Sequence, residues 1–249
     1  MSQPSTTTEQ RAALSAGTSA DAIYAMVARL LASRWTDRGT LLDVGCGRGD
    51  LWPFVKPQFD RYIGVDVLRY EGFPADGQFE KLDLDTGRVP FPDASADVVC
   101  GVETIEHLEN PRAFARELTR LCRPGGWIVI TTPNQLSWLS KFTLLVKNQF
   151  NAFGPANYPA HITALLQIDL QRIARECGWE QIGFGYSLSG RIVFTSRCLP
   201  GWVSRMAPRA FSDNIAVIGR RAPADAAASG PAPTATLPAA PADSAPSHA

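Results

Sequence analysis

The stretch TLLDVGCGRGD, residues 40–50, carries an apolar run into a loop with glycine at positions 45, 47 and 49. A strand that stops in such a loop and then opens a helix restricts the fold strongly. Glycine reaches positive φ at little cost and lets the backbone approach a ligand. The helix start behind it offers unpaired N–H groups. The dinucleotide pattern G-x-G-x-x-G needs glycine at position 50, where this chain has Asp50. Asp43 and Asp50 flank the loop and Arg48 is its single cation, so an anionic pyrophosphate is poorly served. A cofactor carrying cationic groups tolerates those carboxylates better. The plain alternative is a tight turn with no ligand.

Strands and helices alternate behind this loop, which predicts a parallel sheet with helices on both sides. Before it, residues 21–34 place Ile23, Met26, Val27, Leu30 and Leu31 on one helical face, with Ser19 as the N-cap. TLLDV, RYIGVDV, FEKLDL, ADVVCGV and WIVITT read as five strands, and Asp50–Val55 as a short helix. Pro111–Cys122 is a helix with proline in its first turn, and Arg123-Pro-Gly-Gly126 a turn. Leu136–Phe150 and Gln167–Cys177 read as helices, WEQIGFGYS and SDNIAVIGRR as the sixth and seventh strands. Asp66 ends the second strand, 17 residues after Gly49. A carboxylate there is placed to accept both hydroxyls of a ribose.

Composition excludes several classes. A net charge of zero gives no global field towards nucleic acid or an anionic membrane, which leaves room only for a local basic patch. The five cysteines, Cys46, Cys100, Cys122, Cys177 and Cys198, are widely spaced without a CxxC, which argues against a disulfide framework or a structural zinc site. No secretory leader is read at the N-terminus and no run is long enough to span a bilayer, so a reducing cytoplasm is the expected compartment. Residues 1–18 are expected to be loose. Residues 222–249 hold 12 Ala and 6 Pro among 28; such a tail cannot bury enough surface to offset its ordering entropy and reads as disordered. The domain is then 19–221, with 135–165 and 190–211 as insertions that cap a substrate site.

LLDVGCGRGD (41–50), GVD (64–66), KLDLDTGRVPFPDASADVV (81–99), ETIEHLENP (103–111) and RPGGWIVITTPN (123–134) together resemble the class I S-adenosylmethionine-dependent methyltransferases. The resemblance covers residues 40–134 in order. It implies a Rossmann-like α/β fold: a seven-stranded, mostly parallel sheet with an antiparallel last strand and helices on both faces. It implies S-adenosyl-L-methionine as cofactor, with Asp43, Gly45, Cys46 and Gly47 at its methionine end. Asp66 would hold the ribose, Asp83 and Leu84 would flank the adenine, and Val102, Glu103 and Thr104 would close the floor.

For a hydroxyl acceptor the chain must also help to remove a proton. Glu106 and His107 follow the fourth strand and His161 lies in NYPAHITALL; these three are the catalytic candidates. ETIEHL, TTPN and a later histidine are similar to O-methyltransferases of the ubiquinone-biosynthesis type and to small-RNA 2′-hydroxyl enzymes. In the latter, two glutamates and two histidines hold a divalent metal; here these would be Glu103, Glu106, His107 and His161. The EH pair also occurs without metal, and none is expected. RNA is disfavoured because the region after His161 lacks the aromatic and basic cluster that such enzymes show, and the chain is neutral. GRIVF…SDNIAVIGR also looks like enzymes of bacterial surface polysaccharides. The expected acceptor is therefore a small molecule, a sugar or a lipid-linked intermediate. Residues 190–211 mix arginines with Trp202, Val203, Met206 and Phe211, which suits either a pocket cap, a dimer contact or a peripheral membrane contact. The rival classes are a nicotinamide-dependent oxidoreductase and a cofactor-binding module without turnover.

Overall fold

A computed structural model describes residues 8–85, 88–193, 195 and 197–223. The predicted tail, from residue 224 on, and the first seven residues lie outside the described residues. The chain forms one seven-stranded sheet. Its strands are β1 (Thr40–Val44), β2 (Arg61–Asp66), β3 (Gln78–Lys81), β4 (Ala96–Gly101), β5 (Cys122–Pro133), β6 (Trp179–Tyr186) and β7 (Asn214–Arg221). The order across the sheet is β3-β2-β1-β4-β5-β7-β6. β3-β2-β1-β4-β5 pair in parallel, while β7 runs antiparallel between β5 and β6. The class I methyltransferase architecture expected from the sequence is therefore present.

The alternation of side chains along each strand supplies the two cores. Leu42 and Val44 of β1, with Ile128 and Ile130 of β5, pack beneath α4 (Pro111–Leu121) and α6 (Gln167–Glu176). Leu41 of β1, with Trp127 and Val129 of β5, packs beneath α2 (Asp21–Ala32) and α3 (Trp52–Val55). Strands buried on both faces read as unbroken apolar runs, as these do. The two remaining longer helices are α1 (Thr8–Leu14) and α5 (Trp138–Lys147), and a short α7 spans Gly201–Met206.

Three local expectations change. The Arg123–Gly126 turn is absorbed into β5 as a bulge: Ala96 pairs with Cys122, and the next pair is Val98 with Trp127. Gly125 takes φ +76° there. Ser19 does not cap α2; the N-cap is Ala20, and the Ser19 N–H donates instead to the Tyr24 hydroxyl at 2.8 Å. Part of the segment expected to be loose forms α1, held where the Tyr70 hydroxyl donates to Ala12 O at 2.8 Å.

The topology fixes where a ligand can go. From β1 the chain builds outward to β3, then returns to β4 on the other side of β1. The loops after β1 and β4 therefore leave in opposite directions and open a crevice at the C-terminal edge of the sheet.

Candidate functional site

The crevice holds a cavity of about 490 Å³. Its first wall is the loop after β1. Gly45 and Gly47 adopt φ +81° and +52°. A Cβ on Gly45 would strike the Thr104 side chain, and one on Gly47 would strike the Gly17 carbonyl. Both positions therefore require glycine for conformation and for space. Asp43 is buried beneath this loop. The Tyr62 hydroxyl donates to its Oδ2 at 2.8 Å, and among the described residues Oδ1 has no partner. Burial pushes its carboxyl up to about 7, and the Asp66 charge adds to the rise. Asp66 accepts from Gly47 N at 2.8 Å and from Leu68 N at 3.2 Å, so the end of β2 is tied to the glycine loop. Burial raises Asp66 as well, against the lowering effect of those amides.

The second wall follows β4. Glu103 sits at φ +49°, a left-handed conformation that costs a non-glycine residue energy and that clusters at functional sites. Neighbouring strands hold it there. The Thr131 hydroxyl of β5 accepts from Glu103 N at 2.9 Å and donates to Oε1 at 2.8 Å, and Asn214 Nδ2 of β7 donates to Oε2 at 2.7 Å. Desolvation pushes the Glu103 carboxyl up to about 7. Its side chain is half-buried and lines the cavity. Glu106 is fully buried, and burial raises its carboxyl well above the usual range, with Glu103 adding to it. Thr132 lies close enough to lower Glu106, yet neither Glu106 oxygen nor Thr132 Oγ1 makes a bond of hydrogen-bonding geometry among the described residues.

The third wall is the segment around His161, 54 positions after His107 in the chain. Ile162 N and Thr163 N both donate to Glu106 O, at 2.9 and 3.0 Å, and the Thr163 hydroxyl donates to Leu108 O at 2.7 Å. That stitching sets the two imidazoles edge to face at 4.8 Å. His107 Nδ1 meets Ala160 O at 2.8 Å and His161 Nδ1 meets Ala152 O at 2.8 Å. A carbonyl only accepts, so each neutral ring carries its proton on Nδ1 and keeps the lone pair on Nε2. Burial lowers the His161 pKa below the ordinary imidazole value.

Of the residues read from the sequence, Asp43, Gly45, Cys46, Gly47, Asp66, Leu84, Glu103, Glu106, His107 and His161 all line the cavity. Asp83 does not; its Oδ1 accepts from Asp85 N at 3.0 Å. Sequence reasoning missed the cover. Ala12, Ser15, Gly17, Thr18 and Ser19 line the cavity from α1 and the turn after it. The Gly17 carbonyl accepts from Arg48 N at 2.8 Å, which fastens this cover to the glycine loop. A short polar segment leaves little signal of that role, although Gly17 beside Thr18 and Ser19 was available as a hint.

Two chemistries share the cavity. Its loop end is acidic and bounded by the apolar Leu84 and Val102, which fits a ligand with cationic groups and a flat base. Asp43 Oδ1, buried and without a partner among the described residues, is the group such a cation would satisfy. The far end offers imidazole nitrogens. There Glu106, His107 and His161 present atoms within 4.8 Å of one another, a set able to hold a divalent cation.

The model of a family described as a methyltransferase domain matches residues 19–182. The chain belongs to the methyltransferase domain family. A probable S-adenosylmethionine-dependent methyltransferase of Mycolicibacterium smegmatis is 32% identical over 118 residues, 46% of each chain. A ubiquinone biosynthesis O-methyltransferase of Leptothrix cholodnii is 28% identical over 106 residues, 38% of this chain and 44% of the relative. The matched region thus spans less than half the length of either relative. A Haloferax volcanii methyltransferase, solved in complex with its Trm112 activator, shares the fold with a TM-score of 0.58 at 17% identity, covering 81% of this chain and 91% of that one. The family places S-adenosylmethionine, rather than a nicotinamide, as the cofactor class for this methyltransferase domain. Among the described residues no helix is long and apolar enough to cross a membrane.

Proposed function

We propose that this protein transfers a methyl group from S-adenosylmethionine to a hydroxyl of a small-molecule, sugar or lipid-linked acceptor. The observation that carries the reading is the paired imidazoles His107 and His161, facing an acidic glycine loop across a single cavity. The cofactor supplies an electrophilic methyl group on a positive sulfur. Asp43 and Glu103 balance the positive charge of the methionine end, and Asp66 accepts from the ribose hydroxyls. Leu84 and Val102 give the base apolar contact. The acceptor hydroxyl lies against the histidines, where an imidazole Nε2 takes its proton while the oxygen forms the new bond to carbon. The electron pair of the broken carbon–sulfur bond stays on sulfur, so charge and atoms balance. Orientation of the two reactants supplies most of the acceleration, and the base a further factor of about 10²–10⁴.

Calorimetric titration with S-adenosylhomocysteine tests the cofactor half. Micromolar binding that is lost on Gly45→Val supports it, and no binding overturns it. A screen of hydroxylated acceptors with labelled cofactor tests the other half; label found on nitrogen or carbon, and not on oxygen, overturns the hydroxyl assignment.

A further inference from the structure

The described large apolar side chains that stand exposed are not scattered. They include Leu145 (86% exposed) on α5, Tyr158 (70%), and Trp202 (64%) and Met206 (75%) on α7. All of them fall within residues 118–168 and 181–212, and neither stretch contains an Asp or Glu. Between Asn134 and Leu166, and between Ser187 and Ser212, the chain carries six cations and no carboxylate. A neutral chain therefore keeps a balancing excess of six negative charges everywhere else. Of the six cations, Arg191 pairs with Asp213 at 2.8 Å. Lys141, Lys147, Arg197, Arg205 and Arg209 make no ion pair among the described residues.

The fold gathers these stretches at one end. β5 ends at Pro133, β6 ends at Tyr186 and β7 begins at Asn214, all on the C-terminal edge of the sheet. The segments that follow are tied together: Trp138 N donates to Ala210 O at 2.7 Å, and Asn134 Nδ2 donates to Arg209 O at 2.8 Å. Tyr158, in the same acid-free stretch as Leu145, is exposed and also lines the cavity. The cavity thus has its rim on the apolar, cationic face.

We propose that this face docks on an anionic phospholipid bilayer and turns the cavity rim towards the interface. Exposed tryptophan and aliphatic side chains in stretches that carry Lys and Arg but no carboxylate are the chemistry of an interfacial contact. A second copy of the chain is disfavoured, since self-docking would oppose like charges. A nucleic acid has phosphates to satisfy the cations but little use for Leu145 and Met206. This inference rests on the proposed activity only for its purpose, the delivery of a lipid-linked acceptor; docking itself is read without cofactor.

Co-sedimentation of the full chain with vesicles tests it. The chain pellets with phosphatidylcholine vesicles containing phosphatidylglycerol, stays in the supernatant with phosphatidylcholine alone, and is released by high salt. Leu145→Glu combined with Met206→Glu lowers vesicle binding by about tenfold or more, because each change replaces buried apolar contact with a repelled charge. Trp202→Glu, elsewhere on the face, does the same. All three positions are exposed, so melting temperature and S-adenosylhomocysteine titration stay as in the parent. Absence of pelleting with the anionic vesicles overturns the proposal. So does a dimer in sedimentation velocity that the same variants dissociate. Vesicle binding in a chain that fails to bind S-adenosylhomocysteine would leave docking intact and remove the proposed activity.

Discussion

The Thr131 hydroxyl holds Glu103 at two points, accepting from its backbone N at 2.9 Å and donating to its carboxylate at 2.8 Å. One side chain on β5 therefore maintains both the left-handed backbone of Glu103 and the aim of its carboxylate.

Thr131→Val keeps the shape and removes both bonds. Leaving a buried N–H and a carboxylate oxygen short of a partner costs on the order of 1–3 kcal/mol. Chemical denaturation reads the stability change and calorimetry the weaker cofactor affinity, with Thr131→Ser recovering both. Unchanged stability and affinity in the valine variant would show that Asn214 holds Glu103 alone.

Cofactor binding should be coupled to protons. Asp43 rises from 3.8 to about 7 in the unliganded fold. Between those values the folded chain holds a proton that the unfolded chain has lost. Stability of the unliganded protein therefore falls as pH rises through that window, and the full penalty is present above about pH 7. A cationic ligand favours the ionised carboxylate. S-adenosylmethionine affinity should then increase from about pH 6 to about pH 8, with protons released on binding. Titrations in buffers of different ionisation enthalpy give the proton count; a count of zero near neutrality removes Asp43 and Glu103 from the cation's surroundings.

The histidines separate base catalysis from metal catalysis. Because burial lowers the His161 pKa, its ring stays neutral below the ordinary value, and the acid limb of the rate profile should fall below about pH 6.5. His161→Asn should cost roughly 10²–10⁴ in rate while leaving S-adenosylhomocysteine affinity unchanged. Turnover should survive treatment with EDTA. Loss of activity on chelation, restored by Mn²⁺ or Zn²⁺, would assign Glu106, His107 and His161 to a cation instead.

Asp66 joins β2 to the glycine loop. Asp66→Ala should weaken cofactor binding by about 1.5–3 kcal/mol, since charge-assisted bonds are lost. Calorimetry checks it, and an unaltered affinity would place the ribose elsewhere.

What the sequence revealed follows the physics of each element. The strands are apolar on both faces, so TLLDV, ADVVCGV and WIVITT were legible as a parallel sheet, and the glycine loop marked its switch point. Asp43, Asp66 and Glu103 stand out because Asp43 is the last residue but one of β1, Asp66 ends β2 and Glu103 follows β4, all at one edge of the sheet. The turn at Arg123–Gly126 was read from its Pro-Gly-Gly, but hydrogen bonding on both sides drew it into β5. Ser19 lost its capping role to a tertiary partner, the Tyr24 hydroxyl, that local sequence cannot show. The adjacency of His107 and His161 depends on backbone bonds from 162 and 163 to Glu106, and only the fold supplies those.

The bond between Arg48 N and Gly17 O joins two walls of the cavity that lie on either side of the first strand. It closes the N-terminal segment over the end of the cavity where the glycine loop lies. Ala12, Ser15, Gly17, Thr18 and Ser19 face the glycine loop across that end, so a ligand there is enclosed from both sides. Under the proposed function, docking of this short segment and retention of the cofactor are then linked, so a change that loosens the first loosens the second.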